Sequence, residues 1–243
     1  MILGLIPARL NSQRLPGKPL LKIDGLPMVI HVLKRSLLSK KLDNVIVCAD
    51  DNSIVDVVKK FGGNAILTSK KHKNGTERIC EVAKKFNSEM IVDIQCDEVF
   101  LNPAHLDKVI EFHKKNKNFD IIIPHSLIKN YGNKNIVKIV QNNRGKILYL
   151  SRSDIPFYFR QKNLFLKKHL DFISFKKKSL LKYCNLKKSQ NEEIEGIELM
   201  RALDNNFNVG TVKINTEVFS INTSNDLKNA KKIMKRCKIR KKY

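Results

Sequence analysis

At 243 residues the chain can bury the core of one large α/β domain, and two fully separate domains are not expected. Its apolar runs are strand-sized and no basic stretch precedes the first of them, so neither a membrane span nor a secretory signal is supported and a cytoplasmic protein is expected; five scattered cysteines without a Cys-x-x-Cys pattern weigh against disulfides or structural zinc and predict reduced, mostly buried thiols. The net charge of +24 is mostly lysine spread along helix faces, so nucleic acid is expected to bind only non-specifically and at low salt.

In chain order, the apolar run Met1 to Ile6 predicts a buried parallel strand, and ligands of open α/β sheets sit beyond the carboxyl ends of such strands. The loop that follows, Pro7 to Pro19, gathers Arg9, Arg14 and Lys18 around Pro16 and Gly17. Two planar forks and one compact ammonium suit a triphosphate, and Gly17 allows close backbone approach. Helices are predicted over Pro27 to Leu38, Asn52 to Phe61, Thr76 to Phe86 and Pro103 to Asn116, with strands Val45 to Ala49, Ala65 to Leu67 and Met90 to Ile94 between them. Later strands at Asp120 to Pro124, Ile136 to Val140 and Lys146 to Leu150 are separated by short Asn/Gly turns and read as hairpins, giving a mixed sheet. Lys162 to Gln190 reads as an irregular, basic inserted arm of open conformation, and Lys228 to Tyr243 as a basic helix with a frayed tail.

Two further segments carry chemistry. Gln95-Cys96-Asp97-Glu98 puts carboxylates at the carboxyl end of a core strand, where Mg²⁺ could be held by Asp97 and phosphate oxygens, or where the acids could simply start a turn. His72 to Arg78 runs through Asn74, Gly75 and Thr76 into a helix, offering N–H groups to a base or sugar, although the same residues make an ordinary helix start.

Together these residues resemble the CMP-Kdo synthetase (3-deoxy-manno-octulosonate cytidylyltransferase) family of lipopolysaccharide assembly. The resemblance runs through Ile6 to Arg9, Arg14 to Leu20, Gly25 to Met28, Gly75 to Arg78, Gln95 with Asp97-Glu98, Asn135 to Lys138 and Leu148 to Pro156. It implies a Rossmann-like, glycosyltransferase-A-like nucleotidyltransferase: one α/β domain over 1–243 with a mixed sheet, helices on both faces, and a sugar-binding and dimerisation insertion at about 150–200. It also implies a homodimer that uses CTP and a Kdo-like sugar acid with Mg²⁺ as cofactor. In that picture Arg9, Arg14 and Lys18 hold the triphosphate, and the backbone at Ala8, Gly75 and Thr76 selects cytosine. Arg14, Lys18 and Asp97 serve catalysis, Asp97 and position 222 hold metal, and Gln95, Arg152, His169 and Glu195 form the sugar pocket.

Departures from the family pattern concentrate at the sugar end. Asn222 stands where a second metal-binding aspartate is usual, and Asp226 lies along the next helix. Cys96 and Val99 replace glycine and proline, Phe172 to Phe175 replaces a Tyr-Gly-Tyr type of segment, Leu199 replaces glutamine, and Pro156 to His169 is short. A transferase for an amino-Kdo or another sugar, or a weakened CTP-binding regulator, remain alternatives at this point.

Overall fold

Seven consecutive buried residues, Ile2–Ala8, form strand β1, so both faces of that strand are covered. The computed structural model describes residues 1–11, 15–129, 131–160, 165–216 and 220–243. Two compact units emerge, Met1–Lys108 with Val218–Tyr243, and Val109–Glu217.

In the first unit a short antiparallel pair, β2 (Lys22–Ile23) and β3 (Leu26–Pro27), turns through Asp24 and Gly25, both at positive φ as a two-residue hairpin turn demands. Helix α1 (Met28–Leu37) leads to β4 (Asn44–Ala49), and α2 (Asn52–Lys60), capped by the Asp51 side chain on the Ser53 N–H, leads to β5 (Asn64–Leu67). Helix α3 (Gly75–Lys84) and strand β6 (Met90–Ile94) follow, and α4 (Pro103–Lys115) carries the chain across the boundary at Lys108. Strand β1 lies parallel between β4 and β6, with β5 beyond β4. The order β5-β4-β1-β6 reverses direction at β1, so the crevice at the carboxyl ends of β1 and β6 is a topological switch point.

In the second unit β7 (Ile121–Ile128) pairs antiparallel with β10 (Leu166–His169) and β11 (Phe172–Lys176) and parallel with β12 (Val209–Lys213). Strands β8 (Lys138–Gln141) and β9 (Ile147–Ser151) form an antiparallel pair, and β8 also meets β10. Helices α5 (Lys177–Cys184), α6 (Gln190–Glu195) and α7 (Met200–Asp204) complete it. The mixed α/β fold expected from the sequence is therefore present.

Several expectations are corrected. Strands β7 and β8 do not form a hairpin, because β10 pairs with both of them. The described part of Lys162 to Gln190 is not irregular: it supplies β10, β11 and α5, and Phe172 and Phe175 are fully buried. Flanking lysines had masked that apolar strand. The tail after the helix Ser224–Met234 is docked rather than frayed, since the Tyr243 hydroxyl accepts the Arg35 Nε–H at 3.0 Å and meets His31 Nδ1 at 2.9 Å. Of the five free thiols only Cys48 and Cys80 are fully buried; Cys96, Cys184 and Cys237 are partly exposed. Among the described residues no helix is long and apolar enough to cross a membrane.

Candidate active site

The loop leaving β1 closes on itself where the Gly17 N–H donates to Leu10 O at 3.1 Å, with Gly17 in the left-handed region at φ 64°. The closure delivers Lys18 to the start of a 3-10 turn, Lys18–Leu20. From there Lys18 Nζ reaches Asp97 Oδ2 at 2.5 Å, the two side chains being 14% and 19% exposed. Asp97 follows β6, so this ion pair joins segments from the two strands that flank the switch point. Arg9, the first residue after β1, stands exposed, whereas Arg14 lies outside the described residues.

The Gly75 turn backs onto the same strand end. A Cβ on Gly75 would sit 3.1 Å from Pro7 Cγ and 3.7 Å from Gln95 Nε2, so a side chain there would press α3 away from β1. Asn74 caps α3 by accepting the Glu77 N–H at 2.8 Å, and Thr76 is buried in the first turn. Gln95 is oriented by the buried Asp93, whose Oδ1 accepts its amide N–H at 3.0 Å. Ala8, Gly75, Thr76 and Gln95 are thus gathered in the first unit with Arg9, Lys18 and Asp97.

Asn222 belongs to this corner as well. The Ile221 N–H points at Asp97 O at 3.5 Å, and Ser220 Oγ donates to Glu98 Oε1. The N–H groups of Asn222 and Thr223 donate to Asp226 Oδ2 at 3.0 and 2.8 Å, and the Asp226 N–H returns to Thr223 Oγ1, a reciprocal capping box. Burial opposes ionisation of Asp226, yet those N–H donors, the Thr223 hydroxyl and the charge of Lys18 together hold its carboxyl below its ordinary value. The Thr-x-x-Asp spacing of the capping box is the sequence signal that places the Asp226 carboxylate on the Asn222 and Thr223 N–H groups.

For a divalent ion, the described residues contain no group of three or more His, Cys, Asp or Glu side chains. Asp97 alone, with the Asn222 amide, is a sparse set of hard oxygen donors. Such a set fits a hard divalent ion that completes its shell with substrate phosphates and water.

The second unit holds the other predicted residues. Arg152 donates from Nε to Glu195 O at 2.9 Å, from Nη2 to Gly196 O at 3.1 Å and from Nη1 to Lys134 O at 3.1 Å. The Glu195 carboxylate accepts the Ser151 hydroxyl at 2.7 Å and the Arg152 N–H at 3.0 Å. Lys138, fully buried, donates to Arg152 O at 2.6 Å and to Asn133 O at 2.7 Å and lies 3.2 Å from the Asp154 carboxylate. His169 donates its backbone N–H to Val137 O at 2.9 Å, next to Lys138, while its ring Nδ1 lies 3.3 Å from Asp171 Oδ1. Lys138 and Asp154 escaped notice as individual residues, although both fall inside the segments that resemble the family.

A parallel α/β sheet with a cationic loop and a carboxylate at its switch point defines a nucleotide-binding class, and the Cytidylyltransferase family model matches residues 3–226. A curated 3-deoxy-manno-octulosonate cytidylyltransferase of Trichlorobacter lovleyi is 34% identical over 96% of this chain and 98% of its own length. That of Thermodesulfovibrio yellowstonii is 36% identical over 95% and 96%. A solved CMP:2-keto-3-deoxy-manno-octonic acid synthetase complexed with CTP superposes with a TM-score of 0.93 at 30% identity, covering 97% of this chain and 98% of that one. The chain belongs to the 3-deoxy-manno-octulosonate cytidylyltransferase family.

Proposed function

We propose that this chain transfers CMP from CTP to the anomeric hydroxyl of 3-deoxy-manno-octulosonate, giving CMP-Kdo and pyrophosphate. The observation that carries the reading is the Lys18–Asp97 pair across the switch point, a cation for phosphate beside a carboxylate for a metal. The sugar hydroxyl attacks the α-phosphorus, the bond to the bridging oxygen breaks, pyrophosphate leaves and the hydroxyl proton is lost. Little covalent chemistry falls to the protein, whose work is positioning and charge neutralisation.

Arg9, Arg14 and Lys18 grip the triphosphate, and the backbone at Ala8, Gly75 and Thr76 meets the cytosine. Asp97 and the Asn222 amide hold Mg²⁺, which neutralises phosphate charge when bound. Arg152 keeps N–H donors beyond the three spent on carbonyls and pairs with the sugar carboxylate, and Gln95 and His169 are each assigned to sugar binding. Glu195 acts on the sugar through Arg152, because its carboxylate is engaged by Ser151 and the Arg152 amide. The enzyme works in the cytoplasm as a homodimer, for which the exposed Phe157 and Phe159 of the second unit, at 82% and 84%, offer apolar surface.

The test is pyrophosphate release from CTP and Mg²⁺ with and without Kdo. Release that requires Kdo supports the reading. CTP binding without consumption of Kdo overturns it in favour of another sugar or a regulatory role.

A further inference from the structure

Two segments of separate origin face the nucleotide in the reading above: the loop leaving β1 and the turn opening α3. Asp50, the first residue beyond β4, stands between them. Its N–H donates to Ala8 O at 3.3 Å, and its Oδ1 accepts the Leu10 N–H at 2.9 Å, inside the cationic loop. Its other oxygen lies 3.6 Å from Nη2 of Arg78, one turn into α3 from Gly75 and Thr76. Arg78 is itself anchored, donating from Nη1 to Thr68 Oγ1 at 2.6 Å and to Ser69 O at 3.3 Å. Thr68 Oγ1 in turn donates to Ala49 O at 2.8 Å. The strand ends of β1, β4 and β5 and the start of α3 are therefore tied to one charged pair.

The Arg78 and Asp50 side chains are only 3% and 13% exposed, so little water screens them. An exposed carboxylate near a triphosphate would repel it, whereas Asp50 spends its charge on a backbone N–H and a buried guanidinium. We propose that Asp50 and Arg78 are positioning residues that set the chain leaving β1 at Ala8–Leu10 against the Gly75–Thr76 turn in the geometry that accepts CTP. The inference rests on the CTP-dependent reading.

The experiment measures CTP affinity by calorimetry, KM for CTP and for Kdo, and thermal stability, for Asp50→Ala, Asp50→Asn and Arg78→Met. Loss of a charge-assisted contact predicts CTP binding weakened about tenfold in Asp50→Ala and Arg78→Met, with KM for CTP following and KM for Kdo within about twofold. Asp50→Asn keeps an acceptor for the Leu10 N–H and loses only the charge, so a weakening of about threefold is expected. A merely structural pair would lower stability or the active fraction and leave the CTP constants of the folded protein unchanged, and that result overturns the proposal. So does an equal rise in both KM values. If Asp50→Ala does not fold, unchanged CTP affinity in Asp50→Asn is sufficient to refute it. Failure of the native protein to use CTP would instead refute the underlying function.

Discussion

Asp97→Asn should tighten the binding of metal-free CTP while suppressing turnover with Mg²⁺. Lys18 Nζ is held 2.5 Å from Asp97 Oδ2 with both side chains less than one-fifth exposed, so the ammonium that should meet phosphate is engaged by a carboxylate. A hydrogen bond to a charged group contributes about 1.5–3 kcal/mol, which converts to roughly a ten- to hundredfold change in affinity. Removing the carboxylate charge releases Lys18 and also removes a repulsion toward the incoming triphosphate, so the two effects add. Calorimetry in EDTA should therefore show Asp97→Asn binding CTP about tenfold or more tightly than native protein, and Lys18→Met/Asp97→Asn losing most of that gain. In a pyrophosphate assay with Mg²⁺ and Kdo the single variant should be strongly impaired. Metal-free CTP affinity in Asp97→Asn no better than native would refute the reasoning, because it would mean that the pair does not restrain Lys18.

Tyr243→Phe should leave the buried Arg35 Nε–H without its acceptor, at a cost of about 1.5–3 kcal/mol, and lower Tm by about 3–10 °C. A shift under about 1 °C by calorimetry would return the tail to the frayed state expected from sequence. Burial, with Lys167 and Lys213 adding to it, pushes the His125 pKa down to about 4, so the imidazole should remain neutral by NMR at pH 5. The unfolded chain binds that proton near pH 6.5 and the folded chain refuses it until about 4, so this residue costs stability progressively as pH falls from about 6.5 to 4. An NMR titration centred near 6.5 would contradict it.

What could be read in advance followed the range of the interactions involved. Strand β1 and its loop were legible because one apolar run and three cations lie within twenty residues, and a parallel sheet dictates where such a loop points. Asn74 announced the start of α3 through a contact three residues long. The docked tail was not legible, since Arg35 and Tyr243 are 208 residues apart and the Lys/Arg run between Lys238 and Lys242 reads as solvated. Strand β10 was missed for a related reason: Leu166-Lys167-Lys168-His169 has one apolar side chain, and only pairing with β7 and β8 makes it a strand. Arg152 stands out through the resemblance alone, and the engagement of three of its donors by carbonyls at positions 134, 195 and 196 is a tertiary fact.

The same distinction bears on Asn222. Read from sequence, an amide at that position removes a negative charge from the wall facing the cationic loop. In the folded chain the wall keeps a second carboxylate, because the capping box turns Asp226 back onto the Asn222 N–H and within the field of Lys18. Charge and ligation therefore separate. The field that balances Lys18 is supplied by Asp97 and Asp226 together, whereas Asp226 has Oδ2 committed to two backbone N–H groups and is a poor candidate for coordination. Asn222 thus leaves the corner short of a ligand oxygen of carboxylate strength but not short of charge. Asn222→Asp should accordingly act on metal affinity more than on the binding of metal-free CTP, and by raising local negative charge it should weaken the latter.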